Sequence, residues 1–336
     1  MNIQTISSSF SYEQVAELFL KIKKGSCEFN EIVSLIKENQ KLVSLYDFSS
    51  ALISELRTLG HLRLAETYSS SVESLRKFIG DKELYLQDLN CKLVLKYESY
   101  LLSKNLSPNT TSFYMRNLRS IYNRAVDRGL VIQSYPFKRV YTGVEATRKR
   151  ALPLSVVKKI MDLDIDNHSL AFARDIFILS FYLRGISFVD LVYLTRDNLK
   201  GDHLVYRRKK TNQELTIKWE SCMQDIVDRY SVDGSKYLLP ILKDDASNLR
   251  RRYLTMSHNV NRNLRIIGDM LNIEHTLTLY VARHTWASAA LSKKVPISII
   301  SQAMGHDSEK TTRIYLSTLD TTEIDNANLL LINSLR

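Results

Sequence analysis

Four short islands in the second half of the chain hold side chains suited to chemistry on an anion: FYLRGISFVDL at 181–191, the polar turn Lys209-Lys210-Thr211-Asn212-Gln213, YVARHTWA at 280–287 and MGHDSEKTTRIY at 304–315. Guanidinium and ammonium groups offset negative charge, and arginine does so with a planar fork that matches two oxygens at once. A phenol among such cations can pack or react. Taken singly, each residue has an ordinary explanation: a tyrosine before a helical tail anchors a core, a histidine after glycine caps a turn, and a lysine in a turn is solvated. What argues for chemistry is their occurrence together, with Gly305-His306 shortly before Tyr315 and Thr311-Thr312 between them.

The whole chain is basic. Lys and Arg total 47 against 36 Asp and Glu, a formal net charge of +11, and 18 tyrosines supply amphipathic surface. Such an excess draws polyanions, nucleic acid first and anionic membrane second. A length of 336 residues suggests two domains with a short extra module. Only 10 Gly and 5 Pro leave long helices uninterrupted. No apolar run reaches the ~18 residues of a membrane span. The start, MNIQTISSSFSYEQ, lacks the basic-then-apolar layout of a secretory leader. Cys27, Cys91 and Cys222 match no metal or disulfide spacing, so reduced thiols in a cytoplasm, and no metal site, are expected.

The elements that must position the islands follow from periodicity. SYEQVAELFLKI, FNEIVSLIKEN and DFSSALISELRTLG read as short helices within a segment 1–60. LRLAETYSSSVESLRKFIG should end at a Gly80 cap, and LQDLNCKLVLKYESYLLSKN buries one face. SPNTTSFYMRNLRSIYNRAVDRGL opens on Ser107-Pro108 and stops at Gly129. Its Arg116, Arg119, Asn123 and Arg124 lie mainly to one side of an apolar stripe, with Thr110 and Thr111 in the first turn; the three arginines and two threonines are candidate phosphate contacts. A basic linker near 141–150 separates a module at 61–145 from one at 150–336. In the latter, helices surround a single hairpin: Leu204 and Tyr206, then Leu215, Ile217 and Trp219, alternate as strand residues do.

The four islands, in this order, resemble the tyrosine recombinase (phage integrase) family, in particular its conjugative-element and DNA-invertase branch. The likeness covers residues 65 to 330 and is strongest from 175 onward. It implies a mainly α protein: a helical, SAM-like core-binding domain at 61–145, and a mixed α/β catalytic domain at 150–336 with a small antiparallel sheet. Residues 1–60 would bind accessory DNA arms or complete the N-terminal fold. The resemblance makes Tyr315 the nucleophile of a transient 3′-phosphotyrosyl link and Arg283 a clamp on the scissile phosphate. His306 would hydrogen-bond that phosphate or organise the tyrosine, and Lys210 would protonate the departing 5′ oxygen. No nucleotide is implied, because the phosphotyrosyl bond keeps the energy of the linkage it replaces, and no metal, because arginines offset the charge on the nonbridging oxygens.

Two positions depart from the family pattern. The usual H-x-x-R begins here with Tyr280, and a phenol titrating near ~10 is a poor proton acceptor at neutrality, so positioning is its expected role. Where the family has its first arginine stands Ser187, and Ser187-x-x-Asp190 reads as a helix cap. Arg184 and Arg208 are the candidates to replace the missing cation. Arg184, beside the glycine, is slightly favoured; Arg208 shares strand parity with Lys210. Arg207, Lys209, Arg262 and Arg265 are expected backbone contacts. By resemblance the partners are double-stranded DNA, on which a chain that is a monomer or weak oligomer when free assembles as a homotetramer, and accessory DNA-bending proteins, with no membrane and with the two domains closing around the duplex. Leu329, Leu330 and Leu331 would dock in a neighbouring protomer or pack on their own domain. A DNA-binding protein of the same fold with a decayed site is the alternative that Ser187 and Tyr280 support.

Overall fold

The computed structural model describes residues 42–80, 82–145, 150–242 and 249–315, together with 329, 332 and 333. The expected helices SYEQVAELFLKI and FNEIVSLIKEN, and Leu330 and Leu331, lie outside the described residues; Leu329 is exposed. The chain divides into two compact units, Met1–Thr147 and Arg148–Arg336.

The first unit is helical. Helix α1 (Leu45–Thr58) starts where the Ser44 hydroxyl accepts from the Asp47 N–H at 3.2 Å. Helix α2 (Leu62–Ile79) stops at Gly80, whose φ of +78° reverses the chain. Helix α3 (Cys91–Ser103) begins at Asn90, whose side chain accepts from the Leu93 N–H. The preceding Leu86–Asp88 is a 3-10 turn rather than the extra helical turn the apolar spacing suggested. Helix α4 (Pro108–Asp127) has Ser107 as its cap and proline in its first turn. One apolar core joins all four, from Leu45 and Leu52 through Tyr68, Leu75 and Tyr97 to Met115 and Tyr122. Helix α1 therefore shares the core of the 61–145 module, although it falls within the 1–60 segment.

The second unit packs helices against one face of a hairpin. Helix α5 (Leu154–Met161) and helix α6 (His168–Tyr182) precede a turn, Leu183–Ser187, and the short helix α7 (Phe188–Val192). Strands β1 (Leu199–Lys200), β2 (His203–Arg207) and β3 (Glu214–Lys218) form an antiparallel sheet in sequence order, with Leu204 opposite Ile217 and Tyr206 opposite Leu215. Those four side chains point into the core as their alternation requires. Helix α8 (Ser221–Tyr230), absent from the elements that periodicity suggested, places Met223, Ile226 and Val227 in the same core. Helices α9 (Leu249–Met270) and α10 (Leu279–Ser292) follow. The long α6, buried on nearly every side, is the post on which α9 and α10 both pack. Helices α11 (Ile297–Ala303) and α12 (Glu309–Tyr315) come next. Among the described residues no helix is long and apolar enough to cross a membrane.

Candidate active site

Arg283 lies in the second turn of α10, whose start is fixed from α9: Asn261 Oδ1 accepts from the Leu279 N–H at 3.0 Å. Its guanidinium is buried and held at three points. Nη1 donates to the Gly185 carbonyl at 2.6 Å, and Nη2 donates to the Met304 carbonyl at 2.7 Å and to His306 Nε2 at 2.8 Å. Gly185 sits against this arginine so closely that an added Cβ would lie 2.5 Å from the Arg283 Cα, and its φ is +71°. Only glycine meets both demands.

Guanidinium nitrogens donate and never accept, so His306 Nε2 must be the acceptor. The ring proton is then on Nδ1, which donates to the Thr312 hydroxyl at 2.8 Å. Burial, and after it the nearby Arg283, Arg208 and Lys210 charges, lower the His306 imidazole to about 4. His306 is a neutral spacer between Arg283 and the helix that ends in Tyr315. Thr312 is fully buried, which fixes the first turn of α12 against the histidine. Helix α12 ends at Tyr315; the side chain of Tyr315 lies outside the described residues.

The hairpin brings the second arginine. Leu204 and Tyr206 point inward, and Arg208 continues their parity into the core. Its guanidinium donates to the Gly305 carbonyl, and its Nε lies 3.8 Å from Asp190 Oδ2. Gly305, at φ +63°, leaves room: an added Cβ would fall 2.6 Å from Arg208 Cδ. Asp190, expected only as part of a cap, is a buried carboxylate with a wider role. It accepts from the Ser187 hydroxyl at 2.6 Å and from the Lys209 N–H at 2.8 Å, tying α7 to the turn of the hairpin. Ser187 is indeed the cap of α7, accepting from the Asp190 N–H at 3.4 Å.

The two candidates for the missing cation are placed differently. Arg184 is in the left-handed region at φ +57°, only partly buried, and its Nη1 points to the Thr216 carbonyl at 3.4 Å. Arg208, not Arg184, shares the Met304–His306 turn with Arg283. The shared strand parity of Arg208 and Lys210 fails, because β2 ends at Arg207 and a tight turn follows, with Asn212 at φ +56° and its N–H on the Arg208 carbonyl. Lys210 is exposed on that turn, near enough to His306 for its charge to act there. Tyr280, half exposed, stands edge-on to His284 with ring centroids 4.9 Å apart, and lines a cleft of about 430 Å³ together with Ser187 and Arg283.

Comparison with known proteins agrees with the two-unit layout. Residues 44–140 match the phage integrase SAM-like domain, and residues 150–321 match the phage integrase family. The chain belongs to the phage integrase family. A tyrosine recombinase of Pseudothermotoga lettingae is 24% identical over 85% of this chain and 98% of its own length. Tyrosine recombinase XerC of Listeria welshimeri is 22% identical over 74% and 84%. Among solved structures, a lambda integrase dimer bound to a COC′ core site superposes with a TM-score of 0.62 at 14% identity, covering 90% of this chain and 85% of that one. The Tn1549 transposon integrase in complex with transposon right end DNA gives 0.58 at 13% identity, covering 88% and 100%. These likenesses share the fold.

The outlying candidates of this integrase-family chain are distributed unevenly. Thr111 is a correction: it is 2% exposed and faces the core of the first unit, so it cannot meet a phosphate. Thr110 shares the cap of α4, its hydroxyl 2.9 Å from that of Ser107. Arg116 Nη1 donates to the Gly143 carbonyl and Arg119 Nη1 to the Thr142 hydroxyl, while Arg124 covers the Tyr68 ring at 5.9 Å. Arg119 is exposed; Arg116 and Arg124 are partly buried. Arg207 is exposed and pairs across the strands with Glu214 at 3.1 Å, and Lys209 lies 3.8 Å over the Tyr193 ring. Arg265 lines the cleft of Arg283, whereas Arg262 lines a different one beside His168 and Tyr230. No group of His, Cys, Asp and Glu among the described residues could hold a metal ion.

Proposed function

We propose that this chain is a site-specific DNA recombinase that cuts and rejoins duplex DNA through a covalent 3′-phosphotyrosyl intermediate on Tyr315. The supporting observation is the convergence of Arg283, Arg208 and His306 on one turn, Met304–His306, with the Lys210 charge beside it and the helix that ends in Tyr315 leading out of it. Two buried guanidiniums at one turn suit the oxygens of a phosphodiester, whose negative charge otherwise repels a nucleophile. Arg283 and Arg208 are assigned to the phosphate, Arg208 standing in for the arginine that Ser187 replaces. Lys210 is assigned to the leaving 5′ oxygen. His306 orients Arg283 and α12, and Tyr280 borders the phosphate.

The partner is double-stranded DNA, and the working form is a homotetramer on two sites, with accessory bending proteins choosing among integration, excision and inversion. Placement in the conjugative-element and invertase branch rests on the sequence islands alone. The SAM-like unit is the core-binding domain, and residues 150–336 are the catalytic domain.

Ser187 and Tyr280 support a second reading, a DNA-binding protein with a decayed site. A nicked duplex, built on the sequence that the full-length chain selects from a randomised library, separates the two. An SDS-resistant adduct is expected from the wild type and none from Tyr315→Phe. Arg208→Ala should lower adduct formation by roughly 10²-fold or more, as loss of a transition-state donor does, while Arg184→Ala keeps most of it. Binding without any adduct favours the second reading.

A further inference from the structure

We propose that His258 is the proton acceptor for the attack of Tyr315. The assignment rests on the recombinase reading above and goes beyond it, because that reading leaves the phenol proton without a destination.

A phenol titrates near ~10, so attack near neutral pH is faster when a positioned base takes the proton. Tyr280, at the place where the family pattern has histidine, is itself a phenol. His306 is unsuited as well. Its Nε2 already accepts from Arg283 and its Nδ1 proton is committed to Thr312, so protonation would break the Arg283 contact and add a cation beside two guanidiniums.

A further imidazole is on α9. His258 is exposed and lines the 430 Å³ cleft with Ser187, Asn261, Arg265, Tyr280 and Arg283. Among the described residues lining that cleft, it alone carries an imidazole. It stands just under one helical turn before Asn261, and Asn261 clamps the start of α10, so His258 is carried on the element that sets Arg283 in place. His284, on α10, faces the Tyr280 ring edge-on and does not line the cleft. The ionisable groups lining the cleft with His258 are Arg265 from its own helix and Tyr280 and Arg283 from α10; Ile186, Ser187 and Phe188 contribute none.

In the cleavage step the phenolic O–H bond of Tyr315 breaks and its proton passes to an imidazole nitrogen of His258. The phenolic oxygen bonds to phosphorus, the bond from phosphorus to the 5′ oxygen breaks with its electron pair on oxygen, and Lys210 supplies the proton there. Religation runs the transfers backwards, with the imidazolium returning its proton to the tyrosine oxygen.

The test uses the full-length chain and the nicked duplex described above. Adduct formation should fall by roughly 10²-fold or more in His258→Ala, with duplex binding unchanged and partial recovery on adding free imidazole. A second duplex carrying sulfur in place of the bridging 5′ oxygen needs no proton on its leaving group. On it Lys210→Ala should recover and His258→Ala should not. Wild-type rates for His258→Ala on the ordinary duplex, or recovery on the sulfur duplex, overturn the assignment and leave the recombinase reading standing. A wild-type chain that makes no adduct on either duplex overturns both.

Discussion

At the scale of single residues, the site works by keeping one imidazole neutral. His306 accepts from Arg283 through Nε2, and burial with three nearby cations lowers it to about 4 from an ordinary 6.5. The unfolded chain therefore binds a proton to this ring at a pH where the folded chain does not. Stability from this group is complete above about pH 6.5, declines as the pH falls toward 4, and changes no further below that. Both tryptophans, Trp219 and Trp286, are in the second unit, so their fluorescence reports that unit in the intact chain. Urea midpoints read this way at about pH 7 and about pH 5 should separate more in the wild type than in His306→Gln, which has no proton to take up. Equal separations in the two proteins would mean that His306 is not held neutral by its surroundings.

At the scale of elements, the site is an agreement among turns. The Leu183–Ser187 turn, the hairpin turn and the Met304–His306 turn meet through Arg283, Arg208 and Asp190. Gly185 is the closest joint, since a Cβ there would meet the Arg283 backbone, which cannot swing aside. Gly185→Ala should cost roughly 2–4 kcal/mol from overpacking and left-handed strain together. Gly201→Ala, also at positive φ but with nothing within 4 Å, should cost only about 1 kcal/mol. Urea unfolding by tryptophan fluorescence gives both numbers, and equal losses would refute the steric account. The caps at Ser107 and Gly80 and the hairpin alternation are legible in the sequence because each depends on neighbours a few residues away. The placement of Arg208, rather than Arg184, beside Arg283 is not, because it depends on the Gly305 carbonyl, far off in the chain. Asp190 is hidden for the same reason: its local role as partner of Ser187 is visible in S-x-x-D, its hold on Lys209 is not. The burial of Thr111, by contrast, is legible. It stands at heptad spacing from Met115, Leu118, Tyr122 and Ala125, and that stripe is the buried face of α4.

At the scale of the whole molecule, a net charge of +11 states only that polyanions are attracted. Which cations carry that attraction depends on what else they hold. Arg124 lies on the Tyr68 ring, and Arg116 is tied to the Gly143 carbonyl, so their removal takes away packing and loop support as well as charge. Arg119 is exposed and tied through one nitrogen to the Thr142 hydroxyl, which water can replace. Duplex binding measured across a salt series distinguishes these cases. Removing a cation that neutralises one phosphate reduces the slope of log affinity against log salt by about 0.9. Arg119→Ala should therefore flatten the slope by about that amount, weaken binding to all sequences alike and leave thermal unfolding unchanged. Thr111→Val, inside the core, should leave the slope as it is. If instead Arg119→Ala shifts unfolding and keeps the salt slope, the exposed side of α4 serves the 141–143 loop, and the proposed duplex contact of the first unit moves to another face.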